Sequence, residues 1–130
     1  MLRDREQLNL RRRLLSFVYA FQGWWHVLRT QPNAWIHAAV SIVVFALAFW
    51  LHLTRIEWAI LLLATMLVWM AEFANTALEA VVDMAMPDYH PLAKTAKDVA
   101  AAAVLVGALG AVIIGLLIMG PPLWQRLFAS

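Results

Sequence analysis

Three stretches without a formal charge limit what this chain can become more than anything else in it. Residues 34–53 give twenty consecutive positions without Asp, Glu, Lys or Arg; residues 58–71 carry no charge either, and residues 99–119 are apolar. At 1.5 Å per residue, twenty helical residues cross a hydrocarbon core of about 30 Å. With 64% hydrophobic residues, 14% charged and a mean hydropathy of +0.74, the chain reads as an all-α integral membrane protein rather than a soluble domain. It has no cysteine, which excludes a disulfide framework, an iron–sulfur site and a thiolate nucleophile.

The 130 residues divide around these runs into an amino-terminal segment 1–30, a three-helix membrane domain 31–120 and a short tail 121–130. The first segment opens with Arg3, Arg5 and Arg11-Arg12-Arg13 and has apolar residues at 10, 14, 17, 18, 21, 25 and 28. That spacing predicts an amphipathic helix lying in the membrane interface, with Trp24 and Trp25 at headgroup level. A cleaved signal peptide is the competing reading, and it fails because residues 14–21 are short and no small-x-small site follows.

Gln31-Pro32-Asn33 breaks the first helix. The crossings are then expected at about 34–53, 58–84 and 97–119, with a tight turn at Thr54-Arg55-Ile56-Glu57 and Pro121-Pro122 ending the last helix. His37 and His52 fall near the ends of the first crossing, where a neutral, hydrogen-bonded imidazole is the expected role. Six of the ten basic residues lie in the first 29 positions, and Lys94 and Lys97 lie within the 84–98 loop. Both regions are therefore expected on the cytoplasmic side.

The second crossing ends abruptly at an acid. On a helix turning 100° per residue, Glu79 and Asp83 each lie within about 20° of Glu72, Thr76 within about 40° and Asn75 within about 60°. Carboxylates at or just inside a bilayer are costly and mark a functional site by default. Ala103, Gly107, Ala111 and Gly115 repeat every four residues on the third crossing, a spacing that lets another helix approach closely. A polar stripe on an isolated three-helix unit would face lipid, so an oligomer with sites between subunits is expected.

The depths suggest a division of labour. A desolvated carboxylate just below the interface is a better proton acceptor than an exposed one, and a hydroxyl confined to the interface is its natural partner. A second carboxylate nearer the cytoplasm suits Mg²⁺, which takes oxygen ligands and usually binds through one or two carboxylates plus substrate phosphates. Lys94 and Lys97 can neutralise phosphate oxygens during transfer. Together these fit phosphoryl transfer from a cytoplasmic nucleotide to a membrane lipid alcohol. Solvated ion pairs and helix caps use the same residue types, and the motifs of soluble kinases and P-loop proteins are missing.

The motif Glu72-x-x-Asn75-Thr76-Ala77-x-Glu79-x-x-Val82-Asp83, followed by Tyr89-His90-Pro91-Leu92-Ala93-Lys94-x-Ala96-Lys97-Asp98-Val99-Ala100-Ala101, resembles the small prokaryotic diacylglycerol kinases and undecaprenol kinases. Ser16-Phe17-x-x-Ala20-x-x-Gly23 and Asn33-x-x-Ile36-His37 agree with it, and the last element and the 89–94 loop look more like the undecaprenol kinase branch. The resemblance covers about residues 12–115. It implies a homotrimer in the bacterial inner membrane that uses MgATP to phosphorylate diacylglycerol or undecaprenol, in phospholipid or lipid-carrier metabolism.

Carried over by position, Glu72 looks like the general base and Glu79 like the metal-binding carboxylate. Asn75, Asp83, Lys97 and Asp98 look like nucleotide-site residues, with Arg12 and Tyr19 reaching in from the surface helix and Asp88-Tyr89-His90 forming a loop over the nucleotide. Arg12, Asn33 and Trp50 join Glu72 as lipid-substrate residues. Many members place a glutamate, the second metal ligand, where this chain has Gln31; an amide oxygen still coordinates Mg²⁺, without the charge. A catalytically silent interaction protein is the alternative, and an ion pathway is disfavoured because residues 58–71 offer no polar route onward.

Overall fold

The computed structural model describes the backbone of residues 2–128 and the side chains of residues 11–128. Met1, Ala129 and Ser130, the limits of the expected first and last segments, lie outside the described residues, as do the side chains of Arg3 and Arg5. Four helices follow one another: α1 (Leu2–Thr30), α2 (Pro32–Trp50), α3 (Arg55–Ala85) and α4 (Pro91–Phe128). The chain falls into two compact units, with α1 in one and α2, α3 and α4 in the other. By length and composition, α2, α3 and α4 can each cross a membrane.

Proline begins both α2 and α4, as its fixed φ and missing N–H favour. At the start of α4, His90 acts as the cap: its Nδ1 accepts the Leu92 N–H at 3.2 Å and its carbonyl accepts from the Lys94 N–H at 3.1 Å. The turn between α2 and α3 lies earlier than residues 54–57. Leu53 N–H donates to the Ala48 carbonyl and His52 N–H to the Phe49 carbonyl, both at 3.2 Å, the two bonds that close a helix through a left-handed residue. His52 supplies that residue, at φ 54°.

Thr54 then caps α3, and Arg55, Ile56 and Glu57 belong to its first turn rather than to the loop. Glu57 Oε2 accepts from the Thr54 N–H at 2.7 Å, and Thr54 Oγ1 accepts from the Glu57 N–H at 3.4 Å. This reciprocal box satisfies two donors that the helix start would otherwise leave open.

Along α3, Leu61, Ala64 and Val68 are buried at spacings of three and four, which makes one continuous stripe. The same stripe runs on into Glu72, Asn75 and Thr76. α3 and α4 are the pair that packs backbone to backbone, and a Cβ on Gly107 would stand 3.9 Å from the Cα of Val68. The small residues expected to receive another subunit are thus partly used within the chain: Gly107 faces α3, while Ala111 and Gly115 line a cavity toward α2.

α2 reaches α3 through large side chains. Phe45 stacks on Trp58 at 5.9 Å between centroids, and His37 meets Trp69 edge-on at 6.2 Å. The space between α2, α3 and α4 is an apolar cavity of about 460 Å³ that begins beside His37.

Pro121-Pro122 does not end the last helix, which continues to Phe128. The two prolines remove the bonds to the carbonyls of Leu117 and Ile118, a loss that helices in a membrane setting tolerate when neighbours hold them. Here Arg126 Nη1 donates to the Trp50 carbonyl at 2.6 Å and its guanidinium lies 5.0 Å over the Trp50 ring. The far end of α4 is therefore tied to the end of α2. The cap geometry predicts that His52→Gly raises stability by about 1 kcal/mol by relieving the left-handed side chain. Thr54→Ala is expected to lower it by about 1 kcal/mol, both read as shifts of the thermal unfolding midpoint in detergent.

Candidate active site

Glu72 is the most enclosed charged side chain among the described residues, at 1% exposure. Its position follows from the stripe: four residues beyond Val68, it inherits the buried face of α3. α3 gives its carboxylate no donor. The Thr76 hydroxyl, one turn on, bonds the Glu72 backbone carbonyl at 2.9 Å, and both carboxylate oxygens lack a hydrogen-bond partner.

The group facing it comes from α2. His37 Nε2 stands 3.6 Å from Glu72 Oε2 and is itself buried without a hydrogen-bond partner. The polar stripe of one chain is therefore turned inward at Glu72, not outward to lipid. His37 lies five residues into α2, about 7 Å from its start, so Glu72 sits at a corresponding depth below that end of the span.

The rest of the stripe opens progressively. Asn75 is buried, and its Nδ2 donates to Glu79 Oε1 at 3.0 Å, whereas its Oδ1 has no partner. Glu79 is half-buried and lies about 10 Å beyond Glu72 along the helix. Asp83 is exposed and paired with Lys97 of α4, at about 16 Å from Glu72. Lys94 bonds Asp98 at 2.5 Å, one turn along its own helix. The two lysines thus stand at the level of Asp83 and beyond, not against Glu72. As exposed pairs they contribute little to stability.

The other candidates are distributed along the chain. Arg12 and Tyr19 are exposed and two turns apart on α1. Gln31 closes that helix, its N–H donating to the Val27 carbonyl at 2.9 Å. Asn33 precedes His37 by one turn of α2. Asp88 and Tyr89 are exposed in the loop between α3 and α4, with Tyr89 at 81%, while His90 is occupied as the α4 cap. Trp50 stands apart. It is thirteen residues from His37 on α2, about 20 Å away, and held by Arg126.

Among the described residues, no group of three or more His, Asp or Glu converges as a metal cage. The oxygen donors present are nevertheless of the type Mg²⁺ takes alongside phosphates: the Glu79 carboxylate and the orphaned Asn75 Oδ1.

The sequence suggests a neutral, hydrogen-bonded interfacial imidazole at His37; in the structure its Nε2 has no hydrogen bond and faces Glu72, a partner that local sequence pattern does not reveal. The signal lies in hairpin arithmetic: thirteen residues back from Trp50 and seventeen forward from Arg55 reach depths within about 6 Å of each other.

Fold and site together define a small multi-span helical membrane protein with a buried acid at one end of its spans and a graded series of carboxylates leading out from it. Residues 18–119 match the family described as prokaryotic diacylglycerol kinase, and the chain belongs to that family. It is 44% identical over 119 residues to the undecaprenol kinase of Bacillus subtilis, covering 92% of this chain and 95% of that one. It is 47% identical over 111 residues to a diacylglycerol kinase of Synechocystis, covering 85% of this chain but 63%, under two thirds, of that longer protein. With the diacylglycerol kinase of Escherichia coli it shares 38% over 96 residues, 68% of this chain and 76% of that one. This is a family of lipid kinases.

The unpartnered state of Glu72 yields a prediction about stability. Replacing it with an apolar residue of similar size, Glu72→Met, is expected to leave thermal stability unchanged or to raise it by about 1 kcal/mol, because a buried ionisable group is removed. Unfolding followed by circular dichroism in detergent measures this.

Proposed function

We propose that this protein transfers the terminal phosphate of MgATP to the hydroxyl of a membrane lipid, diacylglycerol or undecaprenol, with Glu72 as the proton acceptor. The observation that carries the reading is a fully enclosed carboxylate, with both oxygens uncommitted, at the shallow end of an apolar stripe. An enclosed acid whose oxygens are uncommitted is placed to take a proton from an alcohol held at the same depth.

In the step itself, Glu72 removes the hydroxyl proton as the lipid oxygen bonds to the terminal phosphorus, and the bond from that phosphorus to the nucleoside diphosphate breaks. Glu79, steadied by Asn75, would hold Mg²⁺ together with Gln31, and the ion supplies charge neutralisation at the phosphates. Asp83, Lys97 and Asp98, with Arg12, Tyr19 and the Asp88-Tyr89-His90 loop, form the nucleotide side. Arg12 and Asn33 serve the lipid headgroup. Trp50 is too far from Glu72 to touch the hydroxyl, and as a substrate contact it meets only the distal part of a long tail. The cavity beside His37, walled by Val40, Val44, Val112 and Leu116, has the apolar character an acyl or prenyl chain requires.

The proposal includes a homotrimer in the bacterial inner membrane, with α1 and the α3–α4 loop cytoplasmic, supported by the basic residues of those segments and by the family. Gln31 favours a second reading, a catalytically weakened or silent member acting as a membrane interaction protein.

Radiolabelled ATP supplied to the protein in lipid vesicles containing either alcohol tests the first reading. Wild type is expected to label the lipid, and Glu72→Gln to lower transfer by about a thousandfold or more without dissociating the oligomer. No labelling by wild type, with an oligomer that falls apart in Glu72→Gln, would favour the silent member. Gln31→Glu is expected to lower the Mg²⁺ concentration needed for half-maximal rate by about tenfold.

A further inference from the structure

We infer that His37 is a positioning residue for Glu72 and the acceptor to which Glu72 passes its proton, an inference that rests on the reading of Glu72 as the base. The argument begins with what Glu72 lacks. Along α3 its neighbours are committed elsewhere: Thr76 to a backbone carbonyl and the Asn75 amide group to Glu79. A carboxylate enclosed at this depth and used as a base needs a donor or a counter-charge beside it.

His37 Nε2, 3.6 Å from Oε2, is the polar atom in place to supply one. It lies about 0.6 Å beyond an ordinary hydrogen bond, a gap that a small side-chain rotation closes. The imidazole is not there by accident of packing. Its ring is held edge-on by Trp69. The Ser41 hydroxyl donates to the His37 carbonyl at 2.6 Å, and Trp69 Nε1 donates to that same hydroxyl at 3.4 Å. α3 thus fixes, through Trp69 and Ser41, the turn of α2 that aims the ring at Glu72.

Exposure gives the pair a direction. The His37 side chain is 15% exposed and that of Glu72 1%, so a proton moved from acid to imidazole moves toward the outside. The electrostatic surroundings are simple. α2 carries no Asp, Glu, Lys or Arg, and the α4 residues at the cavity, Ala108, Ala111 and Val112, are uncharged. Glu79 on α3 is two turns away and bonded by Asn75, while Lys94, Lys97 and Asp98 stand in the first two turns of α4, ten or more residues before Ala108. Within the α2–α4 unit, Glu72 is the titratable group that His37 faces.

The proton balance closes without another reactant. Glu72 gains the lipid hydroxyl proton during phosphoryl transfer. While it orients the carboxylate, neutral His37 carries its proton on Nε2. Once Glu72 is protonated, exchange with water leaves the Nδ1–H tautomer, whose bare Nε2 accepts the proton from Glu72 and restores the carboxylate. The imidazolium then releases its Nδ1 proton to water, which returns the ring to the Nε2–H form.

Kinetics in lipid vesicles with MgATP and the lipid alcohol test the inference through His37→Ala and His37→Gln. His37→Ala is expected to lower kcat by about a hundredfold with the KM for MgATP unchanged, and added imidazole to restore part of the loss. His37→Gln keeps an N–H to orient the carboxylate but cannot accept a proton, so its kcat is expected between those of wild type and His37→Ala, without rescue by imidazole. Wild-type kcat in both variants would overturn the inference. So would a change confined to the KM for lipid, which would make His37 a substrate contact, or a loss that imidazole leaves untouched and that parallels loss of folded protein.

A readout independent of turnover separates this inference from the proposed activity. In nitrogen-15 histidine spectra recorded at one fixed pH, the ring resonances of His37 are expected to move on Glu72→Gln. Unmoved resonances overturn the pairing even if the enzyme is active; absence of phosphoryl transfer by wild type, with the resonances moved, overturns the activity and the relay but leaves the contact.

Discussion

A single carboxylate placed at the edge of an apolar layer, with no help from its own helix, is the constraint on which the rest of this molecule turns. Glu72 occupies the next buried position after Leu61, Ala64 and Val68, so the geometry that builds the core also drives an acid into it. Leaving such a group unaccompanied costs several kcal/mol in lipid or protein interior. The polar group that approaches it comes from the side, on α2, which brings His37 within 3.6 Å. Nothing on α3 substitutes for that approach, because its hydroxyl and amide side chains are already spent on the backbone and on Glu79.

The packing around the pair is uneven in a way that suits a membrane site. α3 and α4 touch along their backbones, with Gly107 admitting Val68, and so make a stiff two-helix frame. α2 is held off that frame by rings, Phe45 on Trp58 and His37 on Trp69, and is secured at its far end by Arg126 on Trp50. Large side chains keep the space open where closely packed small ones would have closed it. The resulting cavity borders the imidazole, so apolar room and a polar pair occur side by side.

Much of this was legible in the residues themselves. Long uncharged runs marked the three spans, and periodicity put Glu72, Asn75, Thr76, Glu79 and Asp83 on one face, where the structure has them. The misreadings have physical causes. Thr54-x-x-Glu57 is a capping box, and taking it for a turn ignored that a threonine followed by a glutamate three places on satisfies the open donors of a helix start. Pro121-Pro122 was expected to stop α4, but the contacts of Arg126 with Trp50 hold the segment beyond the missing bonds. His37 was discounted because a residue's partner on another helix does not show in local pattern. Nor does the separation of Trp50 from Glu72, which depends on both spans being straight and antiparallel.

The uninterrupted course of α3 has one further consequence. Glu72, Glu79 and Asp83 are fixed to a single rod, so the vertical intervals among them are set by helix pitch and owe nothing to the surrounding lipid. A thicker or thinner bilayer can slide or tilt that rod, yet it moves all three acids together. The gauge that separates the buried acid from the exposed one is carried by the protein, and stays constant while the membrane around it varies.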